Sequence, residues 1–216
     1  TVLKGLKAIS PETNYNFLDL GWNVRLLSDN QIKEAVQQAR NSDLAILVVG
    51  ENSMRYHWNE KTCGENSDRY ELSLPGRQQE LVKAVAATGV PTVVILVNGR
   101  PLTTEWIDEN MPCIIEAWEP GVAGGQALAE ILYGKVNPSG KLPITIPRST
   151  GQIQCMYNHK FTNHWFPYAT GNSLPLYEFG YGLSYTTYKY ENLKLSEATI
   201  TPDKSVKVTV DVTNTG

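Results

Sequence analysis

The sequence predicts an α/β fold, a mostly parallel sheet sandwiched between helices, followed by the first strands of a truncated β-sandwich. Three observations predict it. The apolar runs "DLAILVVG" (43–50), "TVVILVNG" (92–99) and "CIIEAW" (113–118) read as strands buried on both faces. Stretches of helical period separate them, and a helix between strands implies a crossover to a parallel neighbour. Near the end the period drops to two, with Val206, Val208, Val210 and Val212 alternating.

Each element has its own signal. "TVLKGLKAIS" reads as a mild amphipathic helix without a small-residue cleavage site, so no signal peptide is expected. Asp29 or Asn30 is placed to cap "QIKEAVQQAR", whose Ile32, Ala35, Val36 and Ala39 share one face. A helix over 76–88 presents Leu81, Val82, Val85 and Ala86 and ends at Gly89. Residues 101–109 read as a short helix with Pro101 near its first turn, and "QALAEILYG" as another after the turn "PGVAGG". The glycines of that turn do not form the G-x-G-x-x-G of a dinucleotide site, and close strand-to-helix packing is the better reading. "NPSGKLPITIPRS" is proline-punctuated and extended, consistent with a strand closing the sheet edge. Residues 150–175 hold Tyr157, His159, Phe161, His164, Trp165, Phe166 and Tyr168 in a long aromatic loop without period. The expected boundaries are an α/β domain over 1–186 and the opening of a β-sandwich over 187–216, because one or two strands bury no face alone.

Composition narrows the function. A formal charge of −3 over 216 residues leaves no basic footprint, which argues against a nucleic-acid surface. No apolar run is long enough for a membrane span. Cys63, Cys113 and Cys155 are odd in number and lack metal-like spacing, so neither a disulfide framework nor a metal site is expected. His159 and His164 read as solvated rather than metal-ligating.

The chemistry concentrates in the polar segment 51–75. Open α/β sheets place ligands beyond the carboxyl ends of their strands, and this segment leaves the end of the first one. It carries Glu51, Glu60, Glu65, Asp68, Arg69 and Glu71. From the residues alone, Glu51, Glu60 and Glu65 are either solvated loop carboxylates or candidate acids. Glu51 follows the strand directly and is better placed to hold loop backbone. Arg69 is expected to pair with Asp68 and to point away from Glu65. Tyr56 and Trp58 could stack on a sugar or pack against a neighbouring domain, and Trp118 reads as structural.

The strings "VVGE", "GENSDRYELSLPGRQQELVKAV", "NGRPL", "EAWEPGVAGGQALAEILYGKVNPSGKLPITIPRSTGQ" and "PLYEFGYGLSYT" follow one another in order. Together they resemble the C-terminal α/β-sandwich domain of glycoside hydrolase family 3, the β-glucosidase/β-xylosidase type. Residues 187–216 resemble the start of the fibronectin-III-like domain that often follows. "NPSGKLP" and "FGYGLSYT" are the most specific of these strings.

The resemblance implies an exo-acting retaining β-glycosidase acting on a glycoside or oligosaccharide, without metal or organic cofactor. A β-glucosidase is expected first, a β-xylosidase or a non-catalytic carbohydrate-binding or interface module as alternatives. It implies an N-terminal (β/α)₈ barrel as partner domain, supplying an aspartate nucleophile from a Ser-Asp-Trp type segment. That segment does not occur here, so the chain alone is expected to be inactive. By the same resemblance the acid/base is Glu65 in "GENSDR", with Tyr56 and Trp58 as substrate-binding candidates and Gly64 permitting the turn that aims Glu65. Phe179, Tyr181 and Tyr185 are expected to staple the domain to its neighbours. A periplasmic or secreted location is what the family suggests.

Overall fold

A computed structural model describes residues 1–53, 57–158 and 168–216. Tyr56 and, in the aromatic loop, His159, Phe161, His164, Trp165 and Phe166 lie outside the described residues.

The α/β region runs α1 (Val2–Ile9), α2 (Asp29–Arg40), β1 (Ala45–Gly50), α3 (Gln78–Ala86), β2 (Thr92–Val97), α4 (Glu105–Asn110), β3 (Cys113–Glu116) and α5 (Gly124–Leu132). The strands pair in parallel in the order β1-β2-β3. Val48 lies beside Ile95, and Ile95 beside Ile115.

The alternation of β2 divides the core into two layers. Val94 and Leu96 pack with Val49, Val82 of α3 and Ile107 of α4. Val93 and Ile95 face the other way, against Leu128 of α5 and Val2 of α1. On the first side α2 adds Ile32, Ala35 and Ala39 against Leu81 and Val85 of α3. Helices therefore cover both faces, as the apolar strands demand. Central β2 is buried on both faces along all but its last residue, Val97. β1 is an edge strand, and its Val48 is 49% exposed despite an equally apolar sequence.

Several local expectations shift by a few residues. Ser28, not Asp29 or Asn30, caps α2, through a capping box in which the Gln31 N–H donates to Ser28 Oγ and the Ser28 N–H to Gln31 Oε1. α4 starts at Glu105 rather than near Pro101, and the Thr103 N–H ahead of it donates to the Leu72 carbonyl at 2.8 Å. The segment 142–146 does not join the parallel sheet. It pairs antiparallel with 176–181, through Leu142 N–H to Tyr181 O, Gly180 N–H to Leu142 O and Ile146 N–H to Tyr177 O, each 2.8 Å. Pro143 and Pro147 have no N–H to extend that ladder. This pairing joins the two most specific sequence strings, and the Tyr185 N–H and Ser184 Oγ both donate to Asn137 Oδ1. Tyr185 also donates its hydroxyl to the Ile131 carbonyl of α5 at 2.7 Å, while Tyr181 stacks on Tyr177 and Phe179 on Tyr157. These described contacts of the three aromatics lie within the α/β region.

β4 (Tyr188–Leu195) and β5 (Val208–Asn214) form a separate antiparallel pair with a register shift between Glu191 and Lys194. Tyr190 lies opposite Val212 and Leu195 opposite Val208, and every residue of the pair is exposed.

Truncation at the centre of the sheet should cost far more than loss of a cap. Ile95→Ala, at a fully buried site, is expected to destabilise by about 2–5 kcal/mol. Ser28→Ala should cost about 1 kcal/mol. Urea unfolding of each variant, comparing midpoints at constant m-value, measures both.

Candidate active-site loop

The loop 51–75 departs where β1 meets the carboxyl end of the sheet. Gly50 adopts φ +143°, and a Cβ there would lie 1.9 Å from the Val97 carbonyl oxygen, so no side chain fits this departure point. Glu51 still donates its N–H to Val97 O at 2.8 Å, extending the β1–β2 ladder by one bond. Gln78, buried at the start of α3, closes the other end. Its Oε1 accepts from the Gly50 N–H at 2.8 Å, and its Nε2 donates to the carbonyls of Gly50 (2.7 Å) and Pro75 (3.1 Å). One side-chain amide thus ties both ends of the loop together.

Inside the loop a second closure joins Asn52 to Thr62 and Cys63. Asn52 N–H donates to Thr62 Oγ1, while the N–H groups of Thr62 and Cys63 donate back to the Asn52 carbonyl. The tip leans on residues 22–25. Trp22 stacks on His57 with centroids 4.3 Å apart, Asn52 Nδ2 donates to the Trp22 carbonyl, and Arg25 Nη2 donates to the Asn59 carbonyl. Trp58 is exposed, with the Lys61 ammonium 4.1 Å above its ring.

Glu65 sits between Gly64 at φ +89° and Asn66 at φ +55°, on a tight turn closed by the Ser67 N–H donating to the Gly64 carbonyl. Lys61 Nζ donates to the Glu65 carbonyl oxygen. The residue is exposed. Glu60 is half-buried, and its N–H donates to the His57 carbonyl.

Glu51 is the opposite case. Its side chain is fully buried and meets two guanidinium groups, Arg69 Nη1 at 3.1 Å and Arg100 Nε at 3.4 Å. Arg69 uses its remaining Nη2 on the Ser73 carbonyl, and Arg100 uses Nη2 on the Ser67 carbonyl. The expected Arg69–Asp68 brace therefore does not form: a buried carboxylate outcompetes an exposed one for the guanidinium, because screening by water weakens the surface pair. Both terminal nitrogens of Arg69 are thus engaged, by Glu51 and by the Ser73 carbonyl.

Behind the loop, the ends of β2 and β3 add a polar group of their own. Asn98 is buried and donates Nδ2 to Arg100 O (2.9 Å) and to Glu116 Oε2 (3.4 Å). The other Glu116 oxygen accepts from the Trp118 N–H at 3.0 Å, holding Trp118 at φ +50°. Burial pushes the Glu116 carboxyl up to about 7, against the lowering effect of those two hydrogen bonds. Cys63, 1% exposed, lies 3.8 Å from Glu119 Oε1. Burial first, then the charges of Glu51 and Glu119, push its thiol up to about 11, so it stays protonated at neutral pH. Among the described residues no group of three or more His, Cys, Asp or Glu side chains is arranged to hold a metal ion. No described helix is long and apolar enough to cross a membrane.

Residues 1–185 match the model of the glycosyl hydrolase family 3 C-terminal domain. The chain belongs to that family. It is 40% identical over its whole length to a β-xylosidase of Formosa agariphila, of which it covers 29%. It is 43% identical over 86% of its length to a periplasmic β-glucosidase of Salmonella typhimurium, of which it covers 25%. The solved structure of a β-glucosidase from Erythrobacter marinus superposes on the entire chain with a TM-score of 0.84 at 34% identity, the chain covering 32% of it. This family 3 domain therefore spans less than a third of the length of these relatives.

Of the residues singled out from sequence, Glu65 and Trp58 lie on the loop and are exposed, while Tyr56 is outside the described residues. Gln78, Arg100, Asn98 and Glu116 were not singled out. Gln78 lay hidden in a helical period that it satisfies without being apolar. Arg100 and Glu116 stood in the quoted strings "NGRPL" and "EAWEPG", each directly after or at the end of an apolar run.

Glu116 makes the stability of the domain pH-dependent. Between its ordinary value near 4.5 and about 7, the folded chain keeps a proton that the unfolded chain has released. That stabilisation is complete below about pH 4.5 and is lost as pH rises through 7, on the order of 3 kcal/mol at about 1.4 kcal/mol per pH unit. Thermal unfolding of wild type and Glu116→Gln from pH 4.5 to 8 tests this. The wild type should lose stability relative to the variant across that range, and parallel curves would rule out a raised Glu116.

Proposed function

We propose that this domain is the acid/base-bearing part of an exo-acting retaining β-glycosidase that releases a terminal β-glucosyl or β-xylosyl unit. The carrying observation is the contrast within one loop: Glu65 presents an exposed carboxyl on a braced turn, whereas Glu51 is buried and paired with two arginines. The names of the relatives, a β-xylosidase and a β-glucosidase, support the reaction class and leave both sugars open.

In this reading the N-terminal part of the whole protein is a (β/α)₈ barrel that supplies the nucleophile. The greater length of the relatives agrees with such a partner domain. Retaining hydrolysis needs the two carboxyl groups about 5–5.5 Å apart across the scissile bond. Glu65 in its neutral form gives its proton to the departing oxygen while the barrel carboxylate attacks the anomeric carbon. Its carboxylate then takes a proton from water, which cleaves the glycosyl-enzyme and restores both groups. An acid that must stay neutral at working pH needs burial or a neighbouring anion, and closure against the barrel supplies both. Trp58 and Tyr56 are proposed to line the leaving-group side, offering aromatic faces to sugar C–H groups. The isolated chain, lacking a nucleophile, is inactive. Residues 187–216 are proposed as the opening of a fibronectin-III-like β-sandwich, which accounts for the exposed Tyr190, Val208, Val210 and Val212.

In the full-length enzyme, Glu65→Ala should slow hydrolysis of glycosides with poor leaving groups by about 10²–10⁴-fold. Substrates with activated aryl leaving groups should suffer far less in the glycosylation step, and azide should restore turnover, because this anionic nucleophile attacks the glycosyl-enzyme in place of water without needing a base. Azide rescue of Glu60→Ala or Glu51→Ala, with Glu65→Ala behaving as wild type, would move the assignment to another carboxylate.

A further inference from the structure

We propose that Glu51 is a positioning residue for Glu65: its buried carboxylate holds Arg69 and Arg100, which fix the two ends of the segment 67–73. The proposal rests on the reading of Glu65 as the acid.

The path from Glu51 to the Glu65 turn is continuous. Arg100 follows β2, on the rigid frame, and spans from Glu51 Oε1 at 3.4 Å to the Ser67 carbonyl at 2.7 Å. Ser67 in turn donates its N–H to Gly64 O, closing the turn that carries Glu65. Arg69 spans from the same Glu51 oxygen to the Ser73 carbonyl at 2.6 Å. Between these points, the Leu72 N–H donates to Thr150 Oγ1 and its carbonyl accepts from the Thr103 N–H. Glu51 itself is held in the β1–β2 ladder through its own N–H. Glu51 Oε1 therefore takes a hydrogen bond from Arg69 and an ion pair from Arg100, whose Nε, like Glu51 Oε2, is buried without a hydrogen-bond partner among the described residues, and each guanidinium ends on a loop carbonyl.

The chemistry explains why a charge is needed here. The Arg69 and Arg100 side chains are 14% and 22% exposed, so both cations have given up most of their water. Without an anion between them they repel, and each must turn toward solvent, releasing Ser67 or Ser73. A neutral glutamine fills the same space and accepts a hydrogen bond, but it does not neutralise two cations. A turn displaced by about 1 Å costs catalysis on the order of 10²-fold when the displaced group must meet one proton-accepting oxygen.

Glu51→Gln in the full-length enzyme, with Arg100→Lys as a second variant, tests the proposal. Hydrogen–deuterium exchange should speed up in peptides covering 61–73 while those from β2 and α5 remain at wild-type protection. For glycosides with poor leaving groups kcat should fall about 10²-fold with KM little changed. For activated aryl glycosides kcat/KM, which reports a glycosylation step that needs little help from an acid, should fall less than about threefold, and azide should rescue far less than in Glu65→Ala, because the Glu65 carboxylate is still present to repel it. Arg100→Lys keeps a charge but loses the two-ended span, and should give the same pattern at smaller size. If Glu51→Gln does not fold, Arg100→Lys carries both readouts. Wild-type exchange at 61–73, or an equal loss on every substrate with exchange raised throughout the domain, overturns the proposal. If Glu65→Ala retains full activity, the acid reading fails separately, and the exchange arm still reports on the grip itself.

Discussion

A carboxylate without access to water must be neutralised within the protein, and Glu51 meets that demand at the point where the chain leaves the sheet. Its side chain is fully buried against Arg69 and Arg100. Such buried pairs seldom add net stability, since desolvation offsets most of the Coulomb attraction. Their value here is geometric. The pairing forces a segment rich in polar groups to return to the same place over the carboxyl ends of β1 and β2, and Gln78 pins its two ends with three hydrogen bonds. Everything exposed on that loop, Glu65 included, is referred back to the frame through these contacts.

In the reading proposed above, the frame is what lets a family 3 C-terminal domain carry half of a reaction. Central β2 is buried on both faces between helices, so the loop beyond the strand ends leaves from a firmly packed support. The loop leaves that support with Glu51 buried inside and Glu65 exposed outside. Under that reading the proton donor needs a partner surface before it can work. An enzyme divided between two domains also acquires a control that a single-domain site lacks, because docking both completes the pair of carboxyl groups and removes water from around the acid.

The sheet was legible because three apolar runs of strand length, spaced by helical periods, admit few other folds. Helix limits were less so, and the reasons are particular. α2 begins one residue after Ser28 because the reciprocal Ser28–Gln31 bonds are better than any cap from Asp29. α4 begins at Glu105, after a segment that the Thr103–Leu72 hydrogen bond ties to the polar loop, a contact across the fold that no local signal announces. Edge and centre look alike in sequence: β1 is as apolar as β2 but leaves Val48 exposed. At the loop, the polar composition and the position after a strand marked the region, and the family resemblance singled out Glu65. The partner of Arg69 was not legible. Asp68 is adjacent in sequence, whereas Glu51 is brought to Arg69 by the fold, and burial decides between them. Arg100 and Gln78 escaped for the same reason, since their roles arise from contacts across loops.

The most direct measurement is a structure of the full-length enzyme holding an uncleaved glycoside across the domain interface, with the nucleophile disabled. The account predicts a Glu65 carboxyl oxygen about 2.6–3.2 Å from the glycosidic oxygen, with the Glu51–Arg69–Arg100 grip as it stands here. A Glu65 side chain left in solvent, with Glu60, Glu119 or a barrel residue at the glycosidic oxygen, would contradict it.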